Sequence, residues 1–246
     1  MARLTQAQAI QELLAHVPDG PALRVAFANA HGLLLAMDDP KFAQTLDGFL
    51  VLNDGIGAEI GARLLTGEGF PDNLNGTDFV PALLAAAPSG TRVYLLGAKP
   101  EIVARAAEEF AAAYPGIVIC GHRDGYFGPD AHAEIVTGIN AAAPDILLVA
   151  IGNPKQEHLI RDAGPALDVP LMLGSAHSTS PPARSRVYGH AQIRAGMGLS
   201  FPAGAETSRR TLHAGHHYAI CGRSAACGFR PASPAASPLL IPTDLT

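Results

Sequence analysis

Asp54 stands in Asn53-Asp54-Gly55-Ile56-Gly57, between a short apolar run and a segment rich in alanine and leucine. Three readings fit that pattern. It can be a turn followed by a helix cap. Gly55, Gly57 and Gly61 also approximate the glycine turn of a dinucleotide site, which further requires a second strand ending in an acid about twenty residues on. Here Gly69–Asp78 is a polar loop with no strand before it. In the third reading Asp54 is a general base at a strand end, where an apolar cleft closed by ligand would raise a carboxyl pKa into a useful range.

Two further stretches carry polar groups that suit a charged or hydroxyl-rich ligand. Gly152-Asn153-Pro154-Lys155-Gln156-Glu157 follows the most hydrophobic run of the chain, and Lys155 is one of only three lysines. A lysine at a helix start opposes the helix dipole, so an anionic diphosphate would give it a reason to be there. Gln156 offers both donor and acceptor to a sugar. The plainer reading is a polar helix start at the surface. In Gly121-His122-Arg123-Asp124-Gly125-Tyr126-Phe127-Gly128, Tyr126 and Phe127 can stack on a base or sugar and Arg123 can meet a phosphate. Equally, both aromatics can fill the edge of a core.

Positioning these stretches falls to alternating strands and helices. Apolar runs at 23–28, 49–52, 92–96, 117–120, 145–151 and 169–173 read as strands, four of them stopping at glycine. Helical spacing marks 4–17, 56–65, 100–114 and 131–143, with Thr77 as cap of a helix to about 87 and Pro154 opening another. The alternation predicts a single Rossmann-like α/β domain, a mainly parallel sheet with helices on both faces. Ligands of such sheets sit beyond the carboxyl ends of the strands. The residues there are Asn29, Asn53–Gly55, Gly97-Ala98, Gly121–Phe127 and Gly152–Glu157.

Composition narrows the classes. The chain has 246 residues, 48% of them hydrophobic, enough to bury a core without disulfide or metal. No apolar run reaches the eighteen or so residues of a membrane span. The first residues lack the apolar stretch of a signal peptide, so a cytoplasmic protein is expected. A net charge of −5 argues against a nucleic-acid partner. There is no Walker lysine motif, no Gly-x-Ser-x-Gly and no His-Glu-x-x-His. His213, His216, His217, Cys221 and Cys227 fit no zinc spacing, and no metal is expected.

Taken in order, the motifs resemble the WecG/TagA/CpsF glycosyltransferases, glycosyltransferase family 26. The matching features are Asn29-Ala30-His31, Asn53–Gly57, Gly76-Thr77-Asp78, Leu96-Gly97, Tyr114-Pro115-Gly116, Gly121 with Asp124–Phe127, Asn140 with Pro144–Leu147, and Gly152–Glu157. They span about residues 20–174, and Pro154-Lys155-Gln156-Glu157 is the most specific of them. The resemblance implies an inverting transferase that needs no metal or other cofactor. It would move N-acetylmannosamine or a related sugar from a UDP-sugar to a polyprenyl-diphosphate-linked acceptor, at the cytoplasmic membrane face, in surface-polysaccharide synthesis. The family's proposed base falls on Asp54 and its pocket glutamine on Gln156. Asn29, Gly55, Asp78, Gly97, Arg123, Gly125, Tyr126, Phe127, Gly152, Pro154, Lys155 and Glu157 are the other expected substrate-binding residues. Phe27 stands where many members carry threonine, so a hydroxyl contact there is not carried over. A dinucleotide-dependent oxidoreductase and a non-catalytic UDP-sugar-binding remnant are the alternatives. A homo-oligomer is left open.

The resemblance stops near Gly174. Residues 1–173 hold ten lysines and arginines against twenty acids, whereas 174–246 hold seven arginines, two acids and no lysine. The family's Gly-Val-Gly-x-x-Phe-Asp segment, its Arg-Ala-Pro and its Glu-Trp are missing, and the chain has no tryptophan. Residues Gly174–Arg184 can be written in GC-rich codons whose shifted frame reads Val-Gly-Ala-Leu-Asp-Phe-Thr-Ala-Gly-Ala, close to the missing segment. A frameshift near residue 174 is therefore expected, leaving 175–246 a poorly ordered tail and activity impaired. The alternative is a divergent flexible tail.

Overall fold

The computed structural model describes residues 1–18 and 20–174. The tail, its proposed frameshift and the histidines and cysteines of 213–227 lie outside the described residues.

Six strands form one sheet: β1 (Leu23–Ala28), β2 (Leu50–Asn53), β3 (Arg92–Gly97), β4 (Val118–Arg123), β5 (Ile146–Ala150) and β6 (Leu171–Gly174). All pairs are parallel, in the order β2-β1-β6-β5-β3-β4. The expected parallel α/β architecture is therefore what the chain forms. Buried parallel strands need apolar residues on both faces, and β5 is buried along its whole length. Successive residues then feed two separate cores. Val93, Leu95, Ile146, Leu148, Leu171 and Leu173 face one of them, with Leu13, Phe79, Leu83 and Phe110. Tyr94, Leu96, Leu147, Val149 and Met172 face the other, with Ile135, Ile139, Leu159 and Ile160.

The helices that cover the first core are α1 (Gln6–Leu14), α5 (Gly76–Ala86) and α6 (Pro100–Ala113). The second is covered by α7 (His132–Ala142) and α8 (Lys155–Ala163). Three more helices lie between β1 and β3: α2 (Ala30–Asp38), α3 (Pro40–Leu46) and α4 (Ile56–Thr66). No helix among the described residues is long and apolar enough to cross a membrane.

Three sequence expectations need correction. Residues 30–46, read without an element, form α2 and α3. Of the α2 residues only Gly32 is buried, and Leu34 and Met37 are exposed, so no apolar face marked it. Its signals were the caps: the Asn29 side chain accepts from Gly32 N–H, and Asp39 accepts from Lys41 and Phe42 N–H ahead of Pro40. Asn75 rather than Thr77 caps α5, its Oδ1 accepting from Asp78 N–H at 3.0 Å. Finally, β4 runs on through Gly121 to Arg123. A Cβ on Gly121 would stand 2.5 Å from Cε2 of Tyr94, so the glycine makes room for a ring rather than a turn.

Candidate functional site

Parallel strands bring their carboxyl ends to one edge, and every expected site residue lies along it or on the turns just beyond. The two halves of that edge differ. On one, Asn29 follows β1, Asp54 and Gly55 follow β2, and Asp78 lies in the first turn of α5. On the other, Gly97 ends β3, Arg123 ends β4, Gly125, Tyr126 and Phe127 follow it, and Gly152, Pro154 and Lys155 follow β5. Strand spacing of about 4.8 Å puts the ends of β2 and β5, three places apart, at roughly 14 Å.

Asp54 continues the ladder, its N–H donating to Ala28 carbonyl at 3.0 Å, and its residue is half-buried. Gly55 then turns at φ +85°, a conformation that favours glycine, and its N–H donates to Asn73 Oδ1 at 2.8 Å. The buried Asn53 side chain donates to Asp72 carbonyl at 2.9 Å. The loop around residues 70–73 is thereby clasped to the β2 turn. Between them opens a small cleft of about 300 Å³ that includes Gly55, Ile56 and Glu59. The Phe70 N–H and the Arg63 guanidinium hold the Glu59 carboxyl below its usual pKa.

The other half carries a larger cleft of about 770 Å³. It brings together Gly125, Tyr126, Phe127 and Lys155 of the expected residues, and adds His132, His158 and Asp162. Tyr126 is 72% exposed, an aromatic face open to a ligand. Phe127 packs edge-on against His132 and is half-buried against the second core. Lys155, His158, Leu159 and Asp162 follow one face of α8 at helical spacing, which is why all four line the wall. The three polar newcomers were missed in the sequence. Only that periodicity, counted forward from Lys155, pointed to His158 and Asp162.

Gly97 and Gly125 serve packing at the floor of this cleft. A Cβ on Gly97 would meet Ala150 carbonyl oxygen at 2.3 Å, and one on Gly125 would meet Ile151 Cγ2 at 2.6 Å. The Arg123 guanidinium is engaged by Glu134 at 2.8 Å, which raises its pKa. Among the described residues that line the cleft, Lys155 is the lysine or arginine.

Gln156 and Glu157 turn inward, 1% and 0% exposed. Gln156 Oε1 accepts from Gly152 N–H at 3.1 Å, which closes the turn whose glycine sits at φ +87°. Glu157 Oε1 accepts from Asn153 Nδ2 at 2.7 Å and Gln156 Nε2 at 2.9 Å, while Oε2 is buried with no partner. Burial raises the Glu157 pKa above the usual glutamate value. The folded chain thus holds this proton more tightly than the unfolded chain. Stability falls as pH rises from the ordinary glutamate pKa to the raised one, and is flat above it. Glu157→Gln keeps the Oε1 acceptor and removes the titration. Its stability relative to the native chain should rise across that window by up to about 1.4 kcal/mol per pH unit. Urea unfolding from pH 4 to 8 measures this, and parallel curves for the two proteins would refute it.

An open parallel sheet with glycine turns, a carboxylate and an aromatic cleft along one edge defines a doubly wound α/β protein, a class whose ligands sit at the carboxyl ends of the strands. Residues 1–180 match the Glycosyl transferase WecG/TagA/CpsF family, nearly three quarters of the chain. The chain belongs to that family, whose members are glycosyltransferases of cell-wall polysaccharide synthesis. Family membership sets aside the oxidoreductase alternative. The strand it required after the glycine turn is absent, and the chain there runs through the 67–75 loop into α5.

Proposed function

We propose that this protein is an inverting glycosyltransferase that moves a sugar from a UDP-sugar to a lipid-diphosphate-linked acceptor. The observation that carries this reading is the spacing along one sheet edge. Asp54 ends β2, and the cleft of Tyr126, Phe127 and Lys155 opens beyond β5 and β3, a distance that suits a nucleoside diphosphate-sugar lying across the strand ends. The anomeric carbon then sits by Asp54, which takes the proton of the acceptor hydroxyl as that oxygen attacks from the face opposite the leaving UDP. Lys155 faces the diphosphate and stabilises the charge it gains. Asn29 orders the turn beside Asp54, and Gln156 and Glu157 hold the shape of the β5–α8 turn.

The decisive assay is UDP release from UDP-sugars with and without a lipid-diphosphate-sugar acceptor. Acceptor-dependent release supports the reading; UDP-sugar binding without release identifies a non-catalytic remnant. Tyr126 can be probed separately. Because its ring is exposed, Tyr126→Ala should leave the melting temperature unchanged and weaken UDP binding by about 1–3 kcal/mol, the worth of one stacked base. Equal affinity in titration calorimetry would remove Tyr126 from the site.

An apolar strip supports a further part of the reading. Ile56, Ile60, Leu64 and Leu65 on α4 and Leu34 and Met37 on α2 are all exposed. Such a face suits the membrane surface that carries the acceptor, or a second copy of the chain. Vesicle co-sedimentation and sedimentation velocity separate the two. The family match ends close to the composition break at residue 174, which supports the shifted frame proposed for the tail. Sequencing the gene for an alternate-frame match tests it, and restoring that frame should raise turnover.

A further inference from the structure

Thr45 of α3 is 1% exposed and sits among three polar partners. Its hydroxyl donates to the Lys41 carbonyl at 2.9 Å, accepts from Arg161 Nη1, and lies 3.0 Å from His158 Nδ1. A hydroxyl has one proton and two acceptor positions. With the proton on Lys41 carbonyl and one acceptor position filled by Arg161, the remaining position takes an N–H from His158. That arrangement satisfies all three contacts of a buried group and puts the imidazole proton on Nδ1. Nε2 is then a bare acceptor on a ring that lines the large cleft.

The ring is also held neutral. Its burial and the Arg161 and Lys41 cations lower the His158 pKa, against the opposing pull of Asp162 and Asp39. Phe42 packs edge-on against the imidazole, with centroids 6.0 Å apart.

We infer that His158 is a specificity-determining residue of the donor site, its Nε2 accepting a hydrogen bond from the ring N–H of a uracil base. The assignment rests on the donor reading above. Because the end of β2, which carries Asp54, lies roughly 14 Å from the end of β5, the sugar end of the donor belongs by Asp54 and the base end in the cleft that His158 lines. Uracil carries a proton on its N3, whereas N3 of cytosine is an acceptor and would confront the His158 lone pair. A site built around one such bond rejects the analogue that cannot make it, because the buried partner is left unpaired. Tyr126 and Phe127 stack on either base alike and cannot make this distinction.

The test uses the full chain. Titration calorimetry with UDP and with CDP should give UDP an advantage of about tenfold or more. His158→Asn places an amide N–H where Nδ1 lies, preserving the Thr45 contact, and has nothing at Nε2. It should keep the melting temperature and bring the UDP-to-CDP ratio to near unity. Nitrogen-15 spectra of the native protein, which need no variant, should show His158 protonated on Nδ1 and its Nε2 signal shifting on UDP addition but not on CDP addition. UDP binding with equal affinity for CDP, an unchanged ratio in His158→Asn, or a proton on Nε2 overturns the inference and leaves the donor reading standing. Failure of UDP to bind at all overturns the donor reading, and the inference with it.

Discussion

Asp54→Asn should lower glycosyl transfer by about 10²–10⁴-fold while UDP-sugar affinity changes by less than about twofold. The amide keeps the size and most of the hydrogen-bonding of the carboxylate but cannot take a proton from the attacking hydroxyl. The position is a strand end whose backbone is pinned, Asp54 N–H to Ala28 carbonyl and Gly55 N–H to Asn73, so the turn should survive the change. Loss of turnover should therefore appear in kcat, with the melting temperature close to that of the native chain. Turnover at the native rate would remove Asp54 from the base role, and loss of UDP-sugar binding would make it a binding residue instead.

Gly97→Ala should be the most damaging single change to the fold. Gly97 pairs with Ala150 in the middle of the sheet at φ +143°, and an added methyl would lie 2.3 Å from Ala150 oxygen and 2.5 Å from its carbonyl carbon. The colliding atoms are backbone, so relief requires β3 to part from β5, and both strands are buried on both faces. Overpacking and an unfavourable φ together cost about 2–5 kcal/mol, a fall of roughly 5–15 °C in melting temperature for a domain of this size. Gly138→Ala is the matched control. It lies on the exposed side of α7 with nothing within 4 Å of the new methyl, and should stabilise by about 0.5–1 kcal/mol. Thermal unfolding of both decides the matter; equal melting temperatures would show that the sheet yields at Gly97.

The shared edge was legible because parallel strands read directly. Leu147 and Val149 are apolar on one face and Ile146 and Leu148 on the other, so β5 appears as an unbroken run. The glycine or polar residue that stops a run marks its carboxyl end, and Asn29, Asp54, Gly97 and Gly152 each stand at one. Family-specific spacing in 152–157 then carried the activity class. What spacing could not carry was burial. Lys155, Gln156 and Glu157 are consecutive and polar, yet Lys155 faces the cleft while its two neighbours turn into the protein. A helix rotates successive residues by about 100°, so which of them meets solvent depends on the strand beneath, and Gly174 of β6 is the residue that lies against Gln156.

The sequence by itself determined the alternation of strands and helices, the two-sided core, the residues that end most of the strands, and the family. These follow from local patterns: apolar runs, glycine stops, caps and motif spacing, all read within about a dozen residues. Only the tertiary structure decided the order β2-β1-β6-β5-β3-β4, and with it the separation of Asp54 from the aromatic cleft. It alone joined Thr45 to His158, 113 positions apart, and so set which nitrogen of that ring faces a ligand. Strand order and such contacts are the outcome of many weak packing terms summed over the whole chain, and no short window of sequence contains that sum.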